Sequence, residues 1–273
     1  MERYRLKNII ILILVLVNAF LLASLSMRKS AEQDAFRRTA EELVELFAAD
    51  GMTLDAYAIS REAPPSGVAL VRDPDLEAKA AAFLLGGSPA YADSGGGIYQ
   101  YRTDAGTVLF RSSGGFEAAG TFGAGRGEDF CREFCRTFSF SEPLFQYEEN
   151  SGLNGTASAV FLYSGLPVFN CTVTFTLEDG AVTAASGALL PQASSSAAPA
   201  PNAVEPLSAA GALAAFQRMR REQVAVVSAV VGTSPCYELQ NAASPLSLAP
   251  AWQIATDTEN YYVNCYTGAV TVG

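Results

Sequence analysis

Histidine is absent from the 273-residue chain. Its absence removes the commonest general base and the commonest metal ligand together. No ordinary Ser-His-Asp triad can be assembled without it, and there is no Gly-x-Ser-x-Gly elbow either. The five cysteines (Cys131, Cys135, Cys171, Cys236, Cys265) contain no Cys-x-x-Cys pair. An odd count leaves at least one thiol over if disulfides form, and sequence alone does not give the pairing. Cys131 and Cys135, one helical turn apart, read as small core residues.

Positive charge is also scarce, with 18 Lys and Arg against 28 Asp and Glu. Arg3, Arg5, Lys7 and Glu2 lie at the head of the chain, so 15 basic residues face 27 acidic ones beyond residue 27. A body at −12 lacks the basic footprint that nucleic acid requires and would not lie flat on an anionic lipid surface. A protein partner is the better fit, and solubility is the plainer reading of the charge.

Residual chances of catalysis fall one by one. Gly123-Ala124-Gly125-Arg126-Gly127 precedes a helix but lacks the Gly-Lys-Ser/Thr ending of a phosphate loop. Ser26-Met27-Arg28-Lys29 matches Ser-x-x-Lys, yet neither Ser-Asp-Asn nor Lys-Thr-Gly follows it. The carboxylate pairs Glu41-Glu42, Glu128-Asp129 and Glu148-Glu149 are adjacent in sequence, which points their side chains apart. The chain is expected not to be an enzyme, with no catalytic residue, cofactor or metal.

What the chain does have is one long apolar run, Leu6–Met27, preceded by basic residues. A helix rises about 1.5 Å per residue, so roughly 20 residues cross a hydrocarbon core about 30 Å thick. A cleaved signal peptide would place its apolar core here too, but this run is longer and exits through Ser24-Leu25-Ser26, not Ala-x-Ala. The expected topology is residues 1–5 in the cytoplasm, a single-pass anchor over 6–27, and everything from Arg28 outside.

Beyond the anchor, Ser30 to Ala49 continues as a helix with Phe36, Ala40, Leu43, Val44 and Phe47 at spacings of three and four. A strand is expected at Leu54–Ser60 and a short apolar run at Val68–Val71. Asp73 and Pro74 should open a helix through Leu85. Strands follow at Ile98–Thr103, Thr107–Arg111 and Phe116–Phe122, completing an α+β region over 28–122. Residues 123–190 read as a first lobe. Its helix spans Arg126–Phe138, with Phe130, Phe134 and Phe138 on one stripe. Four strands follow, at Phe145–Glu149, Ala157–Tyr163, Val168–Leu177 and Ala181–Leu190.

Residues 191–206, rich in Pro, Ala and Ser, form an exposed linker. Residues 207–273 repeat the plan: a helix over Leu207–Arg221 capped by Ser208, then strands at Val224–Val231, Cys236–Gln240, Ala251–Thr256 and Tyr261–Val272. Leu166-Pro167-Val168-Phe169 and Ala249-Pro250-Ala251-Trp252 echo each other, so a duplicated helix-plus-four-strand unit is predicted. The fold class is therefore α+β, a transmembrane helix followed by lobes that each pack a helix on an antiparallel sheet.

Two features are candidates for binding. Asn18 lies deep in the span, where an interhelical hydrogen bond is the natural use of an amide. Tyr261, Tyr262 and Tyr266 crowd the last strand, where core packing competes with a recognition surface.

The final stretch runs from Ala249-Pro250-Ala251-Trp252 through Tyr261-Tyr262-Val263-Asn264-Cys265-Tyr266-Thr267-Gly268. It resembles the end of the YycI group, relatives of the YycH proteins. The same wording resembles PepSY domains. The first resemblance implies a single-pass accessory protein that regulates a sensor histidine kinase of a two-component system alongside a YycH-like partner. The second implies a module that binds or inhibits an extracytoplasmic peptidase, or senses a small ligand. Neither supplies catalytic residues.

Overall fold

A computed structural model of the chain describes residues 2–149, 152–191, 205–223, 226–240 and 246–273. It opens with α1 (Glu2–Ala49), one uninterrupted helix of 48 residues. No glycine or proline falls within it, so nothing breaks its hydrogen-bond ladder. The expected membrane span and the expected 30–49 helix are thus one rod. Gly51, at φ 74°, ends it.

β1 (Thr53–Leu54) and β2 (Val68–Ala69) are short. The strand expected over 54–60 stops at Leu54 because Asp55 accepts the Tyr57 N–H at 2.9 Å and turns the chain into a single 3-10 turn. α2 (Pro74–Leu85) begins as its sequence dictates: Asp73 accepts the N–H groups of Asp75 and Leu76, and Pro74 takes the first position. Next come β3 (Ala90–Asp93), β4 (Ile98–Thr103), β5 (Gly106–Arg111) and β6 (Gly115–Phe122).

α3 (Gly127–Thr137) leads into the antiparallel meander β7 (Leu144–Tyr147), β8 (Gly155–Tyr163), β9 (Leu166–Glu178) and β10 (Ala181–Ala188). The turns Ser164-Gly165 and Asp179-Gly180 have positive φ at both residues, the conformation that a tight hairpin with right-handed strand twist requires. α4 (Ala209–Gln223) leads into a second meander, β11 (Ala229–Gln240), β12 (Ser247–Thr256), β13 (Asn260–Asn264) and β14 (Val270–Val272). The helix-plus-four-strand plan is therefore present twice. The proline phrases do not coincide, however: Pro167 lies in the third strand of its unit and Pro250 in the second.

The strands form one sheet, ordered β14-β13-β12-β11-β9-β10-β6-β5-β4-β3, with β8 added to β9, β7 to β8, β1 to β11 and β2 to β12. Pairing is antiparallel except for β1 on β11 and the single bridge Val168–Tyr237 between β9 and β11.

Two cores lie on this sheet. The first gathers α2, α3 and β4–β10, with Leu70 and with Tyr237, Leu239 and Leu248 of β11 and β12, around Phe134, whose ring meets Phe83, Phe116, Phe138, Phe140 and Phe175 at centroid distances of 4.7–6.1 Å. The lobe boundary expected at 122/123 does not exist, because β6 pairs along β10 from Phe116–Gly187 to Phe122–Val182. The second core joins Ala40, Leu43 and Phe47 of α1 to Met52, Leu54, α4 and β11–β13. Region 28–122 is accordingly divided, its beginning belonging with the C-terminal strands and its remainder with the first core. Of the linker expected over 191–206, residues 192–204 lie outside the described residues.

The two bodies meet where β9 lies beside β11, and Tyr237, Leu239 and Leu248 of β11 and β12 enter the first core, Tyr237 edge-on to Tyr163 at 5.5 Å. There the Asn170 side chain donates to the Leu239 carbonyl at 2.8 Å and accepts the Leu239 N–H at 2.7 Å. It replaces ladder bonds where the strands pair at only one position.

Candidate functional site

The apolar turns of α1 carry the first candidate. Every residue from Leu12 to Ala35 is exposed, and the helix is long and apolar enough to cross a membrane. Asn18 stands in the middle of that stretch with no protein partner among the described residues. In hydrocarbon an unpaired amide is costly, which favours a partner helix able to bond it.

The last four turns of α1 leave this setting and enter the second core. Phe47 is fully buried, its ring 6.4 Å from that of Phe216 on α4. Asp50, immediately beyond the helix, accepts from Arg221 at 2.6 Å and from the Gln217 amide, and its carbonyl accepts from Arg220. The Arg221 hydrogen bond is the largest influence holding the Asp50 carboxyl below its ordinary 3.8. A folded-state value below the unfolded one means that this tie stabilises the fold above about pH 4. Its contribution is lost as the pH falls through the lower, folded value. A rod long and apolar enough to cross a membrane is thus fastened at its C-terminal end to the C-terminal body.

The tyrosine candidates separate. Tyr261 is buried, its ring 4.8 Å from Phe216, so it belongs to the core and not to a surface. Tyr262, on the opposite face of β13, stacks on Phe169 of β9 at 4.0 Å and 8°, closing the seam between the two bodies. Tyr266 is half-buried at a groove of about 360 Å³ whose floor includes Gly211, Ala214 and Ala215 and whose rim carries Arg218 and Glu205. The three therefore do not form one surface.

The C-terminal motif has a packing explanation. Trp252, Ile254, Tyr261 and Val263 alternate into the second core across the β12–β13 hairpin. The Trp252 indole donates to the Leu207 carbonyl at 2.8 Å, and the Asn264 side chain accepts the N–H groups of Tyr266 and Thr267 to shape the turn. That turn, with its chain reversal at Thr267-Gly268, splits the strand expected over 261–272 into β13 and β14.

The glycine-rich approach to α3 is no phosphate cradle. The Gly127 N–H is taken by the Gly180 carbonyl at 3.0 Å, and Glu128 and Asp129 already complement the helix dipole. The Tyr147 hydroxyl donates to Glu128, and that bond pushes the phenol up to about 12. Ser26 to Lys29 lie on the exposed rod, where Arg28 pairs with Glu32 at 3.6 Å one turn on. Among the described residues no group of three or more metal-ligating carboxylates or thiols converges.

All five cysteines are free and buried, and burial pushes Cys131, Cys135, Cys171 and Cys265 up to about 12 and Cys236 higher still. The thiolate is the reactive form, so these thiols should be inert in the folded chain. A maleimide added at neutral pH should modify none of them within minutes and all five in denaturant. A rapidly labelled native thiol would contradict this burial.

Sequence reasoning missed three polar contacts. Asp50 with Gln217 and Arg221 joins residues some 170 positions apart, for which no local signal exists. Asn170 sits in a strand like any outward-facing polar residue. Arg72 grips the buried Glu77 through two bonds of 2.7 and 2.5 Å while lying 3.3 Å over the Tyr99 ring, which fastens the start of α2 to the sheet.

No family model matches the chain, and no curated protein matches it. Among solved structures it is similar to the Bacillus megaterium YpeB C-terminal domain, at 14% identity and a TM-score of 0.33, over 75% of this chain and 98% of that one. The resemblance to the YycI group rests on the C-terminal motif residues alone.

Proposed function

We propose that this chain is a membrane-anchored, non-enzymatic regulator that holds a membrane partner through its span and its exported body. The observation behind this reading is α1 itself. One unbroken helix carries Asn18 within its long apolar stretch and ends inside the core of the C-terminal body. A contact made in the bilayer therefore bears on the orientation of that body, and a partner with two signalling states would be biased by whichever state packs better. The basic head of the chain supports a cytoplasmic N-terminus. By the motif resemblance, the proposed partner is a sensor histidine kinase, with a YycH-like protein beside it.

The test is co-purification from mild detergent, at equal expression, of wild type, Asn18→Leu and a form with an unrelated span. Asn18→Leu removes a polar group from hydrocarbon, so insertion should be unchanged or improved. Loss of one interhelical hydrogen bond, about 1 kcal/mol, should cut partner recovery ~5-fold, and the exchanged span should do at least as much. Equal recovery by all three would place the interaction on the exported body. The groove beside Tyr266 would then favour the peptidase-binding or ligand-sensing alternative.

A further inference from the structure

The helix phase of α1 says which side of the span faces the partner. Successive residues turn by about 100°, so Phe36, eighteen positions beyond Asn18, returns to the same line after five turns, about 27 Å further along the axis. On that count Lys29, Leu43 and Phe47 fall within about 20° of Asn18, and Leu22 and Ala40 within about 40°. Phe36, Ala40, Leu43 and Phe47 are the residues on which the C-terminal body sits. The mid-membrane amide therefore points toward the side of the rod over which that body hangs.

Two cations occupy the gap between bilayer and body on this side, beside Glu32, which falls about 40° from Asn18 and is already paired with Arg28 at 3.6 Å. Lys29 lies just outside the span, and Arg61 reaches back from the body to sit 4.9 Å over the Phe36 ring. Lys29 and Phe36 are seven residues apart, about 10 Å along the helix. Neither cation has a carboxylate partner among the described residues. Both are exposed, on an exported region that is otherwise strongly acidic.

We infer that the Asn18–Lys29–Arg61 line is the docking face for a second membrane protein. Resting on the reading above, this identifies the surface and the chemistry of its partner. The partner contributes a transmembrane helix with a hydrogen-bonding side chain near mid-bilayer and carboxylates at its outer end. That helix must stop or turn within about two turns of the membrane surface, because the C-terminal body occupies the line above Phe36. A second copy of this chain fits poorly. A parallel two-fold pair through this face would set Lys29 against Lys29 and Arg61 near its own copy, repulsions that the heterologous acidic partner converts to attraction.

Photo-crosslinking in native membranes tests the face. A benzophenone side chain is placed at Leu22, Leu25 or Lys29 on the proposed line, or at Phe20, Met27 or Ala31, which lie about 140–180° away. All six positions are exposed on the isolated rod. One partner, of a mass other than that of a second copy, should be captured at least fivefold better from the first set. Lys29→Glu combined with Arg61→Glu should lower its capture from Leu25 by a similar factor, and the wild-type yield should fall as salt is raised. Preferential capture from Phe20, Met27 and Ala31 would overturn the face while leaving a span-bound regulator intact. Self-crosslinking through Leu25 would replace the heterologous partner with a homodimer. No adduct from any of the six positions would remove both the face and the reading on which it rests.

Discussion

Replacing Phe134 by alanine should lower the stability of the first body by about 3–5 kcal/mol, the usual cost of emptying a fully buried phenylalanine site. The site has little room to collapse. Five aromatic rings abut Phe134: Phe83 from α2, Phe138 and Phe140 from the segment that ends α3, Phe116 from β6 and Phe175 from β9. The chain has a single tryptophan, Trp252, and it is buried in the second core. The two bodies share one bridging pair, the Asn170 clasp, the Phe169–Tyr262 stack, and Tyr237, Leu239 and Leu248, which reach from β11 and β12 into the first core. In Phe134→Ala the far-ultraviolet circular dichroism should therefore begin to fall at a lower denaturant concentration than the Trp252 emission shifts. Such non-coincident transitions mark two cooperative units. If both signals moved down together, the bodies would be one unit and the clasp stronger than its two bonds imply.

Local chemistry was legible wherever a feature is completed within a few residues. Asp73-Pro74 announced α2, the Phe130-Phe134-Phe138 stripe announced α3, and Asp179-Gly180 announced the hairpin between β9 and β10. What failed was settled by partners far away in sequence. β3 (Ala-Tyr-Ala-Asp) is exposed at all four residues, so it has no buried alternation and owes its extension to pairing with β4. Gly232-Thr233-Ser234-Pro235 reads as a turn, yet β11 passes straight through it. Ten registered pairs with β12 override the local preference, and the irregularity is confined to a bulge at Val230–Gly232. The glycines near 123 looked like a domain joint because β6–β10 pairing leaves no mark in either strand alone. The same division holds at the site: Asn18 stands out against an apolar run, but the phase that places it under the C-terminal body needed to know that α1 is unbroken.

Replacing Phe47 by alanine should strike at that continuity. Phe47 is the last large side chain that α1 inserts into the second core, and its ring begins a chain of contacts through Phe216 to Tyr261, near Trp252 in the same core. Alanine should cost the C-terminal body about 3–5 kcal/mol, read as a lower midpoint for the Trp252 emission shift with the first body's transition left in place. Asp50 still binds Gln217 and Arg221 in this variant, but those contacts follow the helix end and cannot hold its apolar face in register. The consequence for partner binding should differ from that of Asn18→Leu. The span of Phe47→Ala is intact, so capture from Leu25 should persist, while any dependence on Arg61 should fall because the body that carries Arg61 is no longer fixed over Phe36. An unchanged Trp252 midpoint would mean that α1 only rests against the body. In that case a contact made in the bilayer could not be transmitted outward along the rod.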